Sequence, residues 1–245
     1  MDRPFKDGLI NIEKPLQCQK VYRQLKQAIH DGDIKRGTWI QEDQICKVLG
    51  ASRTPVREAF NRLKGEGILE IVHRKGARVV DMSAAQIGAL YEARMHIELI
   101  YFLKSAKSLT REKYRQLKNE LSEIERKVLN SEAYSEEWEK YRKKYVRVDR
   151  NFHDQLILEC GNEFWVKVYL QIRDLITISG AKRSFTSEGI KSAIREHHEI
   201  LDALIEGRFQ DARDLMANHI MNTLRYEEND MRQQEMADMV NNIVG

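Results

Sequence analysis

A chain of 245 residues is long enough to bury one large core or two modest ones, and two domains are the expected division. With 42% apolar and 32% charged residues, and only 13 Gly and 3 Pro, it reads as a helix-rich folded protein and not as a disordered chain or a long β-sandwich. The net charge of +3 is unevenly spread: 16 Lys and Arg stand against 10 Asp and Glu through residue 80, and the remainder is mildly acidic, as expected for a polyanion-binding head on a larger body.

No apolar run approaches the roughly 18 residues of a membrane span. The start, Met1-Asp2-Arg3-Pro4-Phe5-Lys6-Asp7, is charged and lacks the apolar stretch of an export signal, so a cytoplasmic location without a membrane partner is expected. Cys18, Cys46 and Cys160 stand far apart with no C-x-x-C, which indicates neither a disulfide frame nor a thiolate metal site. They read as free thiols.

Val21, Leu25 and Ile29 recur every fourth residue and predict a helix that ends near Asp31-Gly32-Asp33. A second helix carries Ile45, Val48 and Leu49 and stops at Gly50. Ser52 then caps a third, with Pro55 in its first turn and Val56, Phe60 and Leu63 on one face. Arg53, Thr54 and Arg57 lie at the N-terminal end of that helix, the part a recognition helix presents to base edges and phosphates. Beyond Gly67, the stretches 68–72 and 78–80 predict two strands around the basic tip His73-Arg74-Lys75-Gly76. Helices, a tight turn, an arginine-bearing helix and a basic hairpin, in that order, make a winged helix-turn-helix.

The stretch from Val21 to Val80 resembles the DNA-binding domain of the GntR family. Gly37, Glu42, the run Gly50-Ala51-Ser52-Arg53-Thr54-Pro55-Val56-Arg57-Glu58-Ala59-Phe60, Leu63, Gly67 and Gly76 carry the resemblance. It implies a double-stranded DNA operator as partner, with Ser52, Arg53, Thr54 and Arg57 as contacts and Lys75 and Gly76 at the wing tip. Two positions depart from the pattern. Arg36 stands where the family usually has Pro, and Asp43 occupies a place that in some relatives is a DNA-contacting arginine.

The first domain is expected over 15–82 and the second over 83–235. Ser83-Ala84-Ala85-Gln86 has capping-box spacing and opens a helix to about Lys107, with Leu90, Ile97 and Tyr101 on one face. Further helical patterns near 110–130, 136–160, 163–180, 188–206 and 209–235 predict an antiparallel all-helical bundle, so the fold is mainly α. The run Glu136–Lys144 reads as a solvated face.

Asp149 and His153 lie four apart and project from one helix face, where a metal can bridge them. His197 and His219, on two later helices, are able to complete the set. A core or surface placement of these histidines remains the plainer alternative. The bundle is similar to the FCD effector domain of the FadR subfamily. This second resemblance rests on the Asp149-x-x-x-His153 pair, Glu196-His197 before Ile200-Leu201-Asp202-Ala203, the late His219, Gly161-Asn162 and Glu92-Ala93-Arg94. It implies a divalent metal, Zn, Ni or Mn, held by Asp149, His153, His197 and His219 beneath a cavity for a small organic acid. Register with Ile200 and Ala203 selects His197 over His198. Arg94 either meets an anionic effector or pairs with Glu98 one turn on.

A metal with open positions can also activate water. However, His198-Glu199-Ile200-Leu201-Asp202 only approaches the zinc-protease H-E-x-x-H, and no nucleophile motif or phosphate-binding glycine loop is present. The expectation is therefore a regulator and not an enzyme. A homodimer is expected to place two winged heads on a short inverted repeat under control of the bound acid, or alternatively of the ion itself.

Overall fold

The computed structural model describes residues 13–179 and 186–244, which hold nine helices and three short strands. The charged residues 1–7 and the expected helix end at 180 lie outside them. Among the described residues no helix is long and apolar enough to cross a membrane. Two compact units are present: residues up to Met82 together with residues 177–179, the end of the last helix before residue 180, make the first, and the remaining described residues from Ser83 on make the second.

In the first unit, α1 (Glu13–His30) turns Val21, Leu25 and Ile29 inward, and α3 (Arg53–Gly65) turns Val56, Phe60 and Leu63 inward. These six close one core with Ile68, Ala77 and Val79. Each large side chain fully buried there contributes about 1.5–3 kcal/mol. Between the two helices α2 (Glu42–Leu49) stops at Gly50, whose φ of +60° turns the chain so that the next N–H, of Ala51, reaches back to the carbonyl of Cys46 at 3.1 Å and closes the tight turn. Val48 was expected on the apolar face of α2 but is 77% exposed, so Ile45 alone is fully buried from that helix.

The hairpin consists of β2 (Leu69–Val72) and β3 (Gly76–Val79), antiparallel, with Val72 opposite Gly76 and Leu69 opposite Val79. A third strand, β1 (Trp39–Ile40), pairs with the other side of β3. The second hairpin strand starts two residues earlier than its apolar pattern suggests, so Gly76 belongs to the strand and not to the tip. A Cβ there would stand 2.8 Å from the Ile40 carbonyl oxygen, and φ is +97°. Close approach of β1 and a positive φ both require glycine.

In the second unit, α4 (Ala84–Ser108) opens with the expected capping box. Ser83 Oγ accepts from the Gln86 N–H, and the Gln86 side chain accepts from the Ser83 N–H. There follow α5 (Arg111–Asn130), α6 (Glu136–Leu158), α7 (Glu163–Ser179), α8 (Ser187–Glu206) and α9 (Phe209–Val244). Helix α4 packs on α6 and α9, α8 packs on α5 and α9, and α5 packs on α6. These five helices form a closed circuit. Tyr169 of α7 packs against Ile97 of α4 and Ile157 of α6.

Two faces differ from expectation. On α4 the fully buried positions include Ile87, Tyr91, Ile97, Glu98 and Phe102, whereas Leu90 and Tyr101 are only half-buried. The run Glu136–Lys144 is not uniformly solvated. Trp138 is 2% exposed and donates its indole N–H to Ser187 Oγ at 2.8 Å, and Arg142 is buried against Glu139 at 2.6 Å.

Candidate functional site

Three helices of the circuit bring Asp149, His153, His197 and His219 together. Helix α6 supplies the first two from one face, α8 supplies His197 and α9 supplies His219. Each offers one ligand atom, and these four atoms lie within 4.8 Å of one another. His197 Nε2 stands 3.4 Å from Asp149 Oδ1, and the His197 and His219 rings are 4.3 Å apart. All three imidazoles are buried, while Asp149 is half-buried with a hydrogen bond from the Tyr145 hydroxyl at 3.3 Å. Phe152 sets its ring edge-on to His197 at 4.9 Å, an apolar wall on the cluster. His198 stays half-buried outside the set.

Two carboxylates stand behind the imidazoles. His153 Nδ1 lies 2.7 Å from Glu98 Oε2, and His219 Nδ1 lies 2.8 Å from Glu196 Oε2, which also takes a bond from Asn222 on its other oxygen. A carboxylate at Nδ1 holds the proton there and leaves the Nε2 lone pair free, the tautomer a metal-bound histidine needs. Among the described residues the buried His153 Nε2 has no hydrogen-bond partner, which by itself costs about 1–3 kcal/mol. Burial pushes the His219 imidazole below its ordinary range against the pull of Glu196, again favouring the neutral ligand form. Three imidazoles and one carboxylate are a donor set that suits a divalent transition metal.

Arg94 pairs with Glu98, its Nε donating to Oε1 at 2.6 Å. Of the two roles foreseen for it, the pairing is what the side chains display. Burial would raise the Glu98 carboxyl, but Arg94 and His153 outweigh it and hold the group down at about 2. Burial works against the Arg94 charge too, and Glu98 keeps that guanidinium protonated. Glu98 and Glu196 were not singled out from sequence as site residues. Glu196 directly precedes His197 and Glu98 lies one turn from Arg94, but only the packing of α4 on α6 and of α8 on α9 aims them at imidazoles.

In the first unit, Ser52, Arg53, Thr54 and Arg57 are exposed at the start of α3, and Ser52 is its N-cap residue without a side-chain capping bond. Arg53 is paired with Asp43, and Arg57 with Glu42, both across to α2. Lys75 is exposed in the hairpin turn, where its carbonyl accepts from Gln41 Nε2 at 2.8 Å, and Arg74 beside it has a φ of +64°. Gly76 is half-buried.

Residues 17–79 match the family of bacterial regulatory proteins described as gntR, and residues 89–222 match the FCD domain. The HTH-type transcriptional regulator YdhC of Bacillus subtilis (strain 168) is 25% identical over 209 residues, which is 85% of this chain and 90% of that protein. The gluconate operon transcriptional repressor of Bacillus licheniformis is 23% identical over 187 residues, 76% of this chain and 70% of the repressor. The HTH-type transcriptional repressor RspR of Escherichia coli (strain K12) is 30% identical over 157 residues, 62% and 63% of the two chains. Among solved structures, Escherichia coli McbR/YncC superposes with a TM-score of 0.69 at 19% identity, covering 89% of this chain and 98% of that one. A GntR regulator from Rhodococcus sp. RHA1 gives 0.68 at 20% identity, again over 89% and 98%. At these identities the two structures establish a shared fold.

Proposed function

Because the chain belongs to the GntR family of bacterial regulatory proteins and carries an effector-binding FCD domain, it is a DNA-binding transcription regulator and not an enzyme, and we propose that its second unit binds a small organic acid beside a divalent metal. Asp149, His153, His197 and His219 hold the ion, which is Zn, Ni or Mn. The observation that carries this reading is the buried, unsatisfied Nε2 of His153, turned toward three further donors while Glu98 occupies its Nδ1. When bound, the metal supplies open coordination positions for an anionic oxygen.

Arg94 is the nearby cation for the rest of the acid. Among the described residues its hydrogen bond to Glu98 engages only Nε, so its other nitrogens can meet a carboxylate. One relative is named for a gluconate operon, which makes sugar acids the first class to try here. The domains are assigned as 15–82 and 83–235, and the chain is assigned to the FadR subfamily, acting in the cytoplasm. In the first unit Ser52, Arg53, Thr54 and Arg57 contact the operator from α3, while Lys75 and Gly76 sit at the wing. A homodimer sets two heads on an inverted repeat. Phe164 and Val168 on α7 and Ile100 on α4 are 80%, 41% and 63% exposed, and such apolar side chains are suited to cover by a second copy.

Metal and organic acids titrated separately into a DNA-bound sample test the reading. Release or tightening by an acid only when metal is present supports it. A response to metal alone, with no acid effective, makes the ion the signal.

A further inference from the structure

Arg53 and Asp43 meet at two points. Arg53 Nε donates to Asp43 Oδ1 at 2.9 Å and Nη2 donates to Oδ2 at 3.1 Å, with side chains 63% and 62% exposed. Exposed ion pairs contribute little to folding, so stability does not account for this one. Its geometry has another use. A guanidinium is planar and carries five N–H donors, two of which Asp43 engages on the Nε/Nη2 edge. The Nη1/Nη2 edge remains, and two parallel donors on one edge are what reads O6 and N7 of guanine. Arg57 is held differently, by a single bond from Nε to Glu42 Oε2 at 2.8 Å, which leaves its plane free to turn.

We propose that Asp43 is a specificity-determining residue: it fixes the plane of Arg53 so that the free edge reads one guanine in each half-site. The same carboxylate offsets the Arg53 charge, so this arginine adds little to sequence-independent attraction by phosphates. Asp43 is a positioning residue, and Arg53 makes the base contact. Because Arg53 stands at the start of α3 and Asp43 in the first turn of α2, the pair also couples the two helices of the helix-turn-helix at the end that faces DNA.

The test uses the full chain and a pool of randomised DNA duplexes, from which sites are selected with wild type, Asp43→Asn, Arg53→Ala and the double variant. Duplexes substituted at each selected position are then compared by direct binding. All the altered side chains are exposed, and matching melting curves verify folding. Wild type is expected to require a guanine whose selection Arg53→Ala abolishes. Asp43→Asn should lower discrimination at that base about tenfold. It should also bind unrelated duplex more tightly and steepen the salt dependence by about one phosphate contact. In the Arg53→Ala background the Asp43 substitution should change nothing at that base. Equal discrimination by wild type and Asp43→Asn overturns the proposal. So does a loss that persists without Arg53, since Asp43 would then read a base itself, and so does failure of wild type to select any guanine.

Discussion

His153 and Glu98 are joined at 2.7 Å inside the second unit, with the imidazole 1% exposed and the carboxylate 0%. The bond fixes which nitrogen of His153 carries the proton and which faces the cluster. Glu98→Gln removes the charge that fixes it and leaves the Arg94 guanidinium without its counter-charge. Metal affinity should fall about 10–100-fold. The fold should lose about 3–5 kcal/mol. Because that loss can complicate the comparison, Glu196→Gln is the companion: its side chain is 18% exposed and it holds His219 in the same way. Competition against a chelator measures both, and unchanged affinity in both would show that the Nδ1 partners do not tune the site.

The arginines of α3 and the lysine of the wing should separate by experiment. Arg53→Ala and Arg57→Ala should each weaken operator binding by about 1–3 kcal/mol and leave the oligomeric state unaltered. Lys75→Ala should weaken binding to every sequence alike and lower the salt slope by about one. Anisotropy titrations at several salt concentrations measure all three. A loss confined to one operator in Lys75→Ala would place that side chain on a base.

Gly76→Ala tests the hairpin backbone. The added Cβ meets the Ile40 carbonyl at 2.8 Å and Gln41 Oε1 at 2.9 Å, and the φ of +97° is strained for alanine. The first unit should lose about 1–3 kcal/mol, and DNA binding should fall because β1 and the wing separate. A melting curve identical to wild type would contradict that packing.

Much of this was legible in the chain. Periodicity gave Val21, Leu25 and Ile29 on α1, the capping box at Ser83 marked the start of α4, and the four-residue spacing of Asp149 and His153 placed both on one face. Other features have no local signal. The two residues of β1 are too few to show alternation. Helix α4 buries Glu98 against Arg94 and His153, so its inward face does not follow its apolar residues. The run Glu136–Lys144 conceals Trp138 and Arg142 because single buried side chains within a charged stretch are exposed or covered according to the neighbouring helix, which no window of sequence contains.

Metal content of the purified chain bears most directly on the four-residue site. His197 lies in the cluster at 0% exposure and His198, its neighbour, does not. Wild type and His198→Ala should each carry about one ion per chain, and His197→Ala should carry far less. A chelator should lower the melting temperature of the first two, since an ion held about a hundredfold above its Kd adds about 2.7 kcal/mol to the folded state. Equal metal in wild type and His197→Ala would contradict the site, and loss in His198→Ala alone would move it to the other histidine.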